Sequence, residues 1–202
     1  MTSLAQHPER NVIRLQLRQN VVLQDLGDPD RAELEARLEI VDGHKGDALL
    51  PQGVHEMEQY FIVDGVLKRV VTNPQGKELI LRFAGERDME TSYAAKRLNT
   101  PTPYSIVCVT KARVAKLPMQ DWIDFLERHA TLKQTFEYAV MRLMSEIMAH
   151  TITLHMLDAP GRVHRFQRKH PELFESLHKK DLANYLNLSA ETLSRLKQSG
   201  KI

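Results

Sequence analysis

One cysteine, Cys108, occurs in 202 residues, so the chain cannot close an internal disulfide or supply the several thiolates of an iron–sulfur cluster. Long apolar runs are missing as well. No stretch approaches the roughly 20 residues that cross a bilayer, and the opening MTSLAQHPER lacks the apolar core of a secretion signal. A cytoplasmic protein with no membrane contact is the expectation. Catalytic signatures are equally scarce: there is no G-x-S-x-G, no glycine-rich phosphate loop and no paired-carboxylate motif. The 9 histidines do not fall at metal-ligand spacings beside carboxylates. His150 and His155 are five apart, not the three or four that share a helix face, and are read as surface or interface residues. An enzyme, a metal site and a bound cofactor therefore have no positive support. Proline and glycine are absent between Pro118 and Pro160, a gap that favours helix.

What is present is ordinary globular composition, 42% apolar and 27% charged, enough for one large domain or two small ones. Net charge is only +2, but it is unevenly placed. From Pro160 onward nine basic residues meet four acidic ones, a balance of +5 that leaves −3 for the preceding part. A basic end on a mildly acidic body suits attraction to a phosphate backbone, although a solvated basic face has the same composition.

That basic end holds the most informative stretch, HKKDLANYLNLSAETLSRLKQ from His178 to Gln198. Leu182, Leu186, Leu188, Leu193 and Leu196 fall where two short crossed helices bury side chains, with Ala183 at their closest approach. Asn187 occupies the turn, a left-handed position usually given to Gly and tolerated by Asn. Ser189 is the natural N-cap of the second helix, and Glu191 in its first turn suits the helix dipole. The outward face of that helix then carries Ala190, Glu191, Ser194 and Arg195. An Arg forks on guanine O6 and N7, and a Glu accepts from the cytosine amino group. These residues favour a DNA-reading helix over a plain helical hairpin.

Earlier in the chain, Asn11 to Leu26 reads as a helix or two, and Asp28-Pro29-Asp30 starts another with Leu34 and Leu38 on one face. From Ile40 short apolar runs recur between turns: IVDGHKGDALL, QYFIVDGVLKRVV, NPQGKELILRF and YSIVCVTKARVAKLP. Such spacing predicts a compact antiparallel barrel or sandwich ending near Pro118. Beyond it, Trp122, Phe125, Leu132, Phe136, Val140, Leu143, Ile147, Thr151 and Leu154 recur in steps of three and four. Sustained over that length, the pattern predicts one helix of roughly 50 Å, packed against the same helix of a second copy. Met141, Met144, Met148 and Met156 are read as core and interface filler rather than soft ligands. Asp158-Ala159-Pro160-Gly161 ends it, with Asp158 as a cap and Pro160 opening the next helix.

This order of elements resembles the Crp/Fnr superfamily of transcription regulators over nearly the whole chain. The most specific piece is Glu191-Thr192-Leu193-Ser194-Arg195, similar to that family's E-T-hydrophobic-S-R recognition-helix signature, and IVDGVLKRVVTNPQGKELILRF is similar to its paired strands around a Gly-bearing turn. The resemblance implies an α+β chain: an antiparallel β-roll (double-stranded β-helix) with N-terminal helices over 1–118, a dimerisation helix over 119–158, and a helix-turn-helix unit over 159–202. It implies a homodimer on near-palindromic double-stranded DNA, with half-sites about one helical turn apart. RNA polymerase and a small-molecule effector are the other partners implied. The DNA-contacting set is then Lys179, Lys180, Ser189, Ala190, Glu191, Thr192, Ser194, Arg195 and Lys197.

The sequence departs from the family where the cyclic-nucleotide cassette belongs. Glu90 stands for the ribose-binding Glu, but Met89 replaces the Gly before it. The Arg-Ser pair that grips the cyclic phosphate falls at Thr102-Pro103, which offer no charge. Ile147 and Met148 stand where polar side chains would meet the base, and Arg97 is the nearby cation that would have to reach inward. An effector pocket, if kept, is expected from Arg82, Glu90, Thr91, Ser92, Arg97, Ile147 and Met148, with an effector other than cAMP. The chain's end at Ile202 leaves no room for the β-hairpin wing of many relatives. That motivates an alternative: a small-ligand sensor or interaction module whose C-terminal unit no longer reads DNA.

Overall fold

The structure, a computed structural model, describes residues 2–202. Strand β1 (Thr2–Ser3) leads through a 3-10 turn into α1 (Arg10–Leu17), which buries Ile13 and Leu17 one helical turn apart. Helix α2 (Asp28–Glu35) carries Pro29 in its first turn, where a missing N–H costs nothing. Its Arg31 is buried and donates to the carbonyls of Leu23 and Leu26, both at 2.8 Å, closing the turn between the two helices.

Strands β2 (Glu39–Gly43), β3 (Ala48–Leu50), β4 (Glu58–Asp64), β5 (Leu67–Thr72), β6 (Glu78–Ala84), β7 (Met89–Glu90), β8 (Ser105–Cys108) and β9 (Ala112–Pro118) follow, interrupted by the short α3 (Tyr93–Arg97). They form two antiparallel sheets, ordered β1-β2-β9-β4-β7 and β3-β8-β5-β6. Strand β9 is the spine of the first, pairing Glu39↔Lys116 on one side and Glu58↔Pro118 on the other. The turn after β4 requires glycine. At Gly65 φ is +84°, and a Cβ would lie 2.3 Å from the Lys111 carbonyl oxygen.

The predicted unbroken helix from Pro118 to Pro160 is corrected by the structure. Helix α4 (Met119–Arg128) ends at His129, whose φ −128° and ψ 77° leave the helical region, and α5 (Ala130–Met156) begins directly after it. Neither Pro nor Gly causes the break. The His129 ring packs on Phe125 at 4.2 Å and lies 3.6 Å from an Asp30 carboxylate oxygen and 3.8 Å from one of Glu33. Tertiary contacts to α2 thus override a helical sequence. The break lets α4 keep Trp122, Phe125 and Leu126 in the core while α5 takes a new course with Leu132 and Phe136 buried. Trp122 meets Phe61 and Phe136 edge to face, each at 5.3 Å. At about 1.5 Å per residue, α5 is roughly 40 Å long.

The chain clusters into two compact units, residues 1–70 with 83–143, and 71–82 with 144–202. This division differs from boundaries at 118 and 158, because α5 starts in one unit and ends in the other. In the second unit, α6 (Ala159–Lys169) is capped by Asp158, whose carboxylate accepts from the Gly161 N–H at 3.0 Å. Pro160 occupies the second helical position rather than the first. Helices α7 (Pro171–Ser176), α8 (Lys179–Leu186) and α9 (Ala190–Gln198) complete it around Val163, Phe166, Leu182, Leu186 and Leu193.

Candidate functional site

Helices α8 and α9 meet through Asn187-Leu188-Ser189. Asn187 adopts φ 51° and ψ 48°, the left-handed conformation that its short polar side chain tolerates, and the Leu188 N–H donates to the Ala183 carbonyl at 2.9 Å. The Ser189 hydroxyl accepts from the Thr192 N–H at 3.0 Å, so α9 starts with one of its orphan donors satisfied. Leu182, Ala183, Leu186 and Leu193 are buried between the helices; Leu188 and Leu196 are half-buried.

Lys179 and Lys180 are exposed in the first turn of α8, and Lys197 is exposed in the last turn of α9. Ala190, Glu191 and Arg195 are exposed on α9, and Glu191 and Arg195, four apart, share a face. Ser194 and Thr192 are half-buried. The Ser194 hydroxyl donates to the Ala190 carbonyl at 2.8 Å, and the Thr192 hydroxyl lies 2.9 Å from that of Ser189. These three hydroxyls therefore serve the helix first and keep only part of their hydrogen-bonding capacity for a partner. Sequence reasoning missed Arg162, whose guanidinium donates to the carbonyls of Leu157 at 2.9 Å and Leu186 at 3.2 Å, closing the ends of two helices.

Of the residues expected at the effector pocket, Glu90, Thr91, Ser92 and Arg97 lie in the unit of residues 1–70 and 83–143. Glu90 is fully buried, but its carboxylate accepts from Arg69, through Nε at 3.0 Å and through Nη2. The same guanidinium donates to the Thr91 carbonyl at 3.0 Å and lies 4.1 Å above the Tyr104 ring, while the Tyr104 hydroxyl donates to the Thr91 carbonyl at 2.8 Å. The chain's own Arg69 thus holds Oε2 of the carboxylate that a ribose would need. Thr91 and Ser92 are buried beside it. Thr102 is buried with its hydroxyl donating to the Pro51 carbonyl, so the Thr102-Pro103 place offers a phosphate no charge. Arg97 does not turn inward: it is exposed, 5.9 Å from the Tyr93 ring. In the other unit, Arg82 is buried on β6 and acts electrostatically on Tyr185 of α8, Ile147 is half-buried and Met148 is 65% exposed. Within the first unit, Glu90 held by Arg69, the uncharged Thr102 and the outward Arg97 do not fit a cyclic nucleotide. One signal pointed to Arg69: in LKRVV, period-two alternation sets it on the inward side with Leu67.

Helix α5 carries an apolar stripe with nothing over it. Tyr138, Met141, Met144, Met148, Ile152 and Met156 are all 48% exposed or more, at steps of three and four that align them along one side. The described residues contain no helix long and apolar enough to cross a membrane and no cluster of three or more side chains able to hold a metal ion.

Residues 42–129 match the family model described as a cyclic nucleotide-binding domain. Among solved structures, a Crp/Fnr-family transcriptional regulator from Eubacterium rectale is 14% identical with a TM-score of 0.73, over 90% of this chain and 87% of that one. The c-di-GMP responsive global regulator CLP of Xanthomonas campestris is 13% identical with a TM-score of 0.71, over 86% and 92%. FixK2 from Bradyrhizobium japonicum is 15% identical with a TM-score of 0.68, over 81% and 86%. No curated protein matches the chain. Residues 42–129 are thus similar to a cyclic nucleotide-binding domain, and the chain has the fold of the solved Crp/Fnr-family regulators.

Proposed function

We propose that the chain is a homodimeric, sequence-specific DNA-binding transcription regulator whose effector is not a cyclic mononucleotide. The observation that carries this reading is the exposed face of α9, where Glu191 and Arg195 stand clear of the buried Leu193 on a capped helix at the basic end of the chain. In the major groove the Arg195 fork binds O6 and N7 of a guanine, and Glu191 accepts from a cytosine amino group. Lys179, Lys180 and Lys197 attract phosphates without regard to sequence. Ser189, Ala190, Thr192 and Ser194 lie close enough to the same groove to contact phosphate or neighbouring bases. The methionine stripe of α5 supports pairing with a second copy, since an uncovered apolar band of this length is costly in water.

Selection from random DNA at physiological salt tests the reading: one near-palindromic motif, with half-sites about 34 Å apart, is the expected product. Arg195→Ala should then cost about 1–3 kcal/mol on that motif and relax the choice of one base, whereas Lys180→Ala should weaken all sequences alike and flatten the salt dependence. Equal losses on selected and random DNA for Arg195→Ala would refute the assignment. A second variant addresses the dimer. Met148→Glu puts a charge in the middle of the stripe and should convert the protein to monomers by sedimentation, with selective DNA retention lost. A Met148→Glu protein that stays dimeric assigns pairing to another surface. A ligand panel should include cyclic dinucleotides because of the likeness to CLP, a c-di-GMP responsive regulator. Tight ligand binding without selective DNA retention would instead make the chain a small-ligand sensor.

A further inference from the structure

Helix α5 has two opposite faces with different work. Met141, Met144, Met148 and Ile152 are exposed along one side. His150 follows the buried Leu143 by seven residues, so at about 100° per residue it shares Leu143's side and lies roughly half a turn away from the methionines. There its imidazole stacks on the ring of Tyr185, with centroids 3.8 Å apart and planes at 11°. Tyr185 is buried on α8, also packs on Phe166 of α6 at 5.1 Å, and precedes by two residues the Asn187 turn into α9. The surroundings suit an uncharged ring. Arg162, Arg165 and Lys169 of α6, with His170 at its end, line the same cavity of about 30 Å³, and Glu146 lies one turn earlier on α5. Burial, and next the nearby Lys169, His170 and Arg165, push His150 down to about 4 against an opposing hydrogen bond with the Tyr185 backbone.

We propose that His150 and Tyr185 are a positioning pair for DNA reading, holding α8 and α9 at one angle to α5 so that the separation of two reading helices is set through the thickness of a single helix. This rests on the DNA-binding dimer proposed above. The pair also gives the head a sign of pH dependence. The folded head favours the neutral ring, so the stabilisation is complete above the ordinary histidine value near 6.5 and declines as pH falls toward about 4.

Two measurements on the full-length chain test the pair. With ¹³C at histidine Cε1, the His150 proton signal is expected upfield from the ring current of Tyr185 and should stay in its neutral position until near pH 4, and Tyr185→Leu should abolish the upfield shift. An unshifted His150 signal with a midpoint near 6.5 overturns the stack, whatever the DNA results. The second measurement compares the selected DNA with versions whose centre is one base pair longer or shorter. The parent should lose about tenfold on either altered spacing, and His150→Ala should lose about tenfold on the selected spacing but about twofold or less on the altered ones. His150→Phe, which keeps a flat ring for Tyr185, should restore the parent's preference. Equal losses for His150→Ala on all three DNAs, or no rescue by Phe, overturn the positioning role while leaving the regulator reading intact. A parent that retains no DNA selectively defeats the regulator reading and this role together, even with the shifted histidine signal in place.

Discussion

Glu90→Ala is expected to lower the stability of the unit formed by residues 1–70 and 83–143 by about 3–5 kcal/mol, because it strands a guanidinium in the interior. Arg69 is 2% exposed and Glu90 0%. Two Arg69 nitrogens hold the Glu90 carboxylate, and one of them also donates to the Thr91 carbonyl. Removing either side chain alone leaves the other charge desolvated, so Arg69→Met should cost a similar amount. The double replacement Arg69→Met with Glu90→Leu behaves differently, since a buried pair exchanged for packed apolar groups of like volume is often neutral or stabilising by up to about 4 kcal/mol. Urea denaturation of the four proteins measures each change against the parent. A loss below about 1 kcal/mol for Glu90→Ala would mean that water reaches the guanidinium and that the pair is not desolvated. The same series bears on ligand choice: the parent should bind no cyclic mononucleotide, because its carboxylate is already held.

Trp122→Ala is the other large effect, expected to cost about 3–5 kcal/mol. The indole is 0% exposed and makes edge contacts with Phe61 of β4 and Phe136 of α5, as well as a stacked contact with Phe125 at 5.9 Å. Alanine leaves a cavity bounded by a strand and two helices, elements that cannot collapse together without disturbing the register of β4 with β9. Trp122→Phe should cost far less, on the order of 1 kcal/mol, because the indole N–H is buried without a hydrogen-bond partner and its removal relieves that unmet donor. Since Trp122 is the sole tryptophan, circular dichroism rather than fluorescence must follow unfolding. A drop below about 1 kcal/mol for Trp122→Ala would show that the β-roll and α4 do not share one core.

Local chemistry was the legible part of the sequence. The left-handed Asn187, the Ser189 cap, the Asp158 cap and the glycine turn after β4 each depend on one residue and its immediate neighbours, and each is found in place. The strand runs were readable for the same reason, through alternation and turn residues. Features made by residues far apart in sequence were not. His129 breaks a helix only because Asp30 and Glu33 lie across from it, and nothing within 119–160 announces this. Glu90 looked like a ligand carboxylate because its partner, Arg69, stands 21 residues earlier on another strand. His150 was assigned to a surface or interface, since its ring partner is Tyr185 on a different helix. For α9 the two kinds of information agree: the spacing of Leu193, Glu191 and Arg195 fixes which side is inward, and the fold leaves the other side exposed.

Among the turns, Gly65 and Gly76 have different futures under sequence drift. Both have positive φ, +84° and +77°, yet a side chain at 76 would meet no atom within 4 Å, whereas at 65 it would collide with the Lys111 carbonyl and Ala112. Position 76 can therefore exchange with asparagine at little cost. Position 65 has no such neighbour in sequence space: no single nucleotide change there yields a residue that fits, and any lineage that keeps this β-roll must keep that codon for glycine.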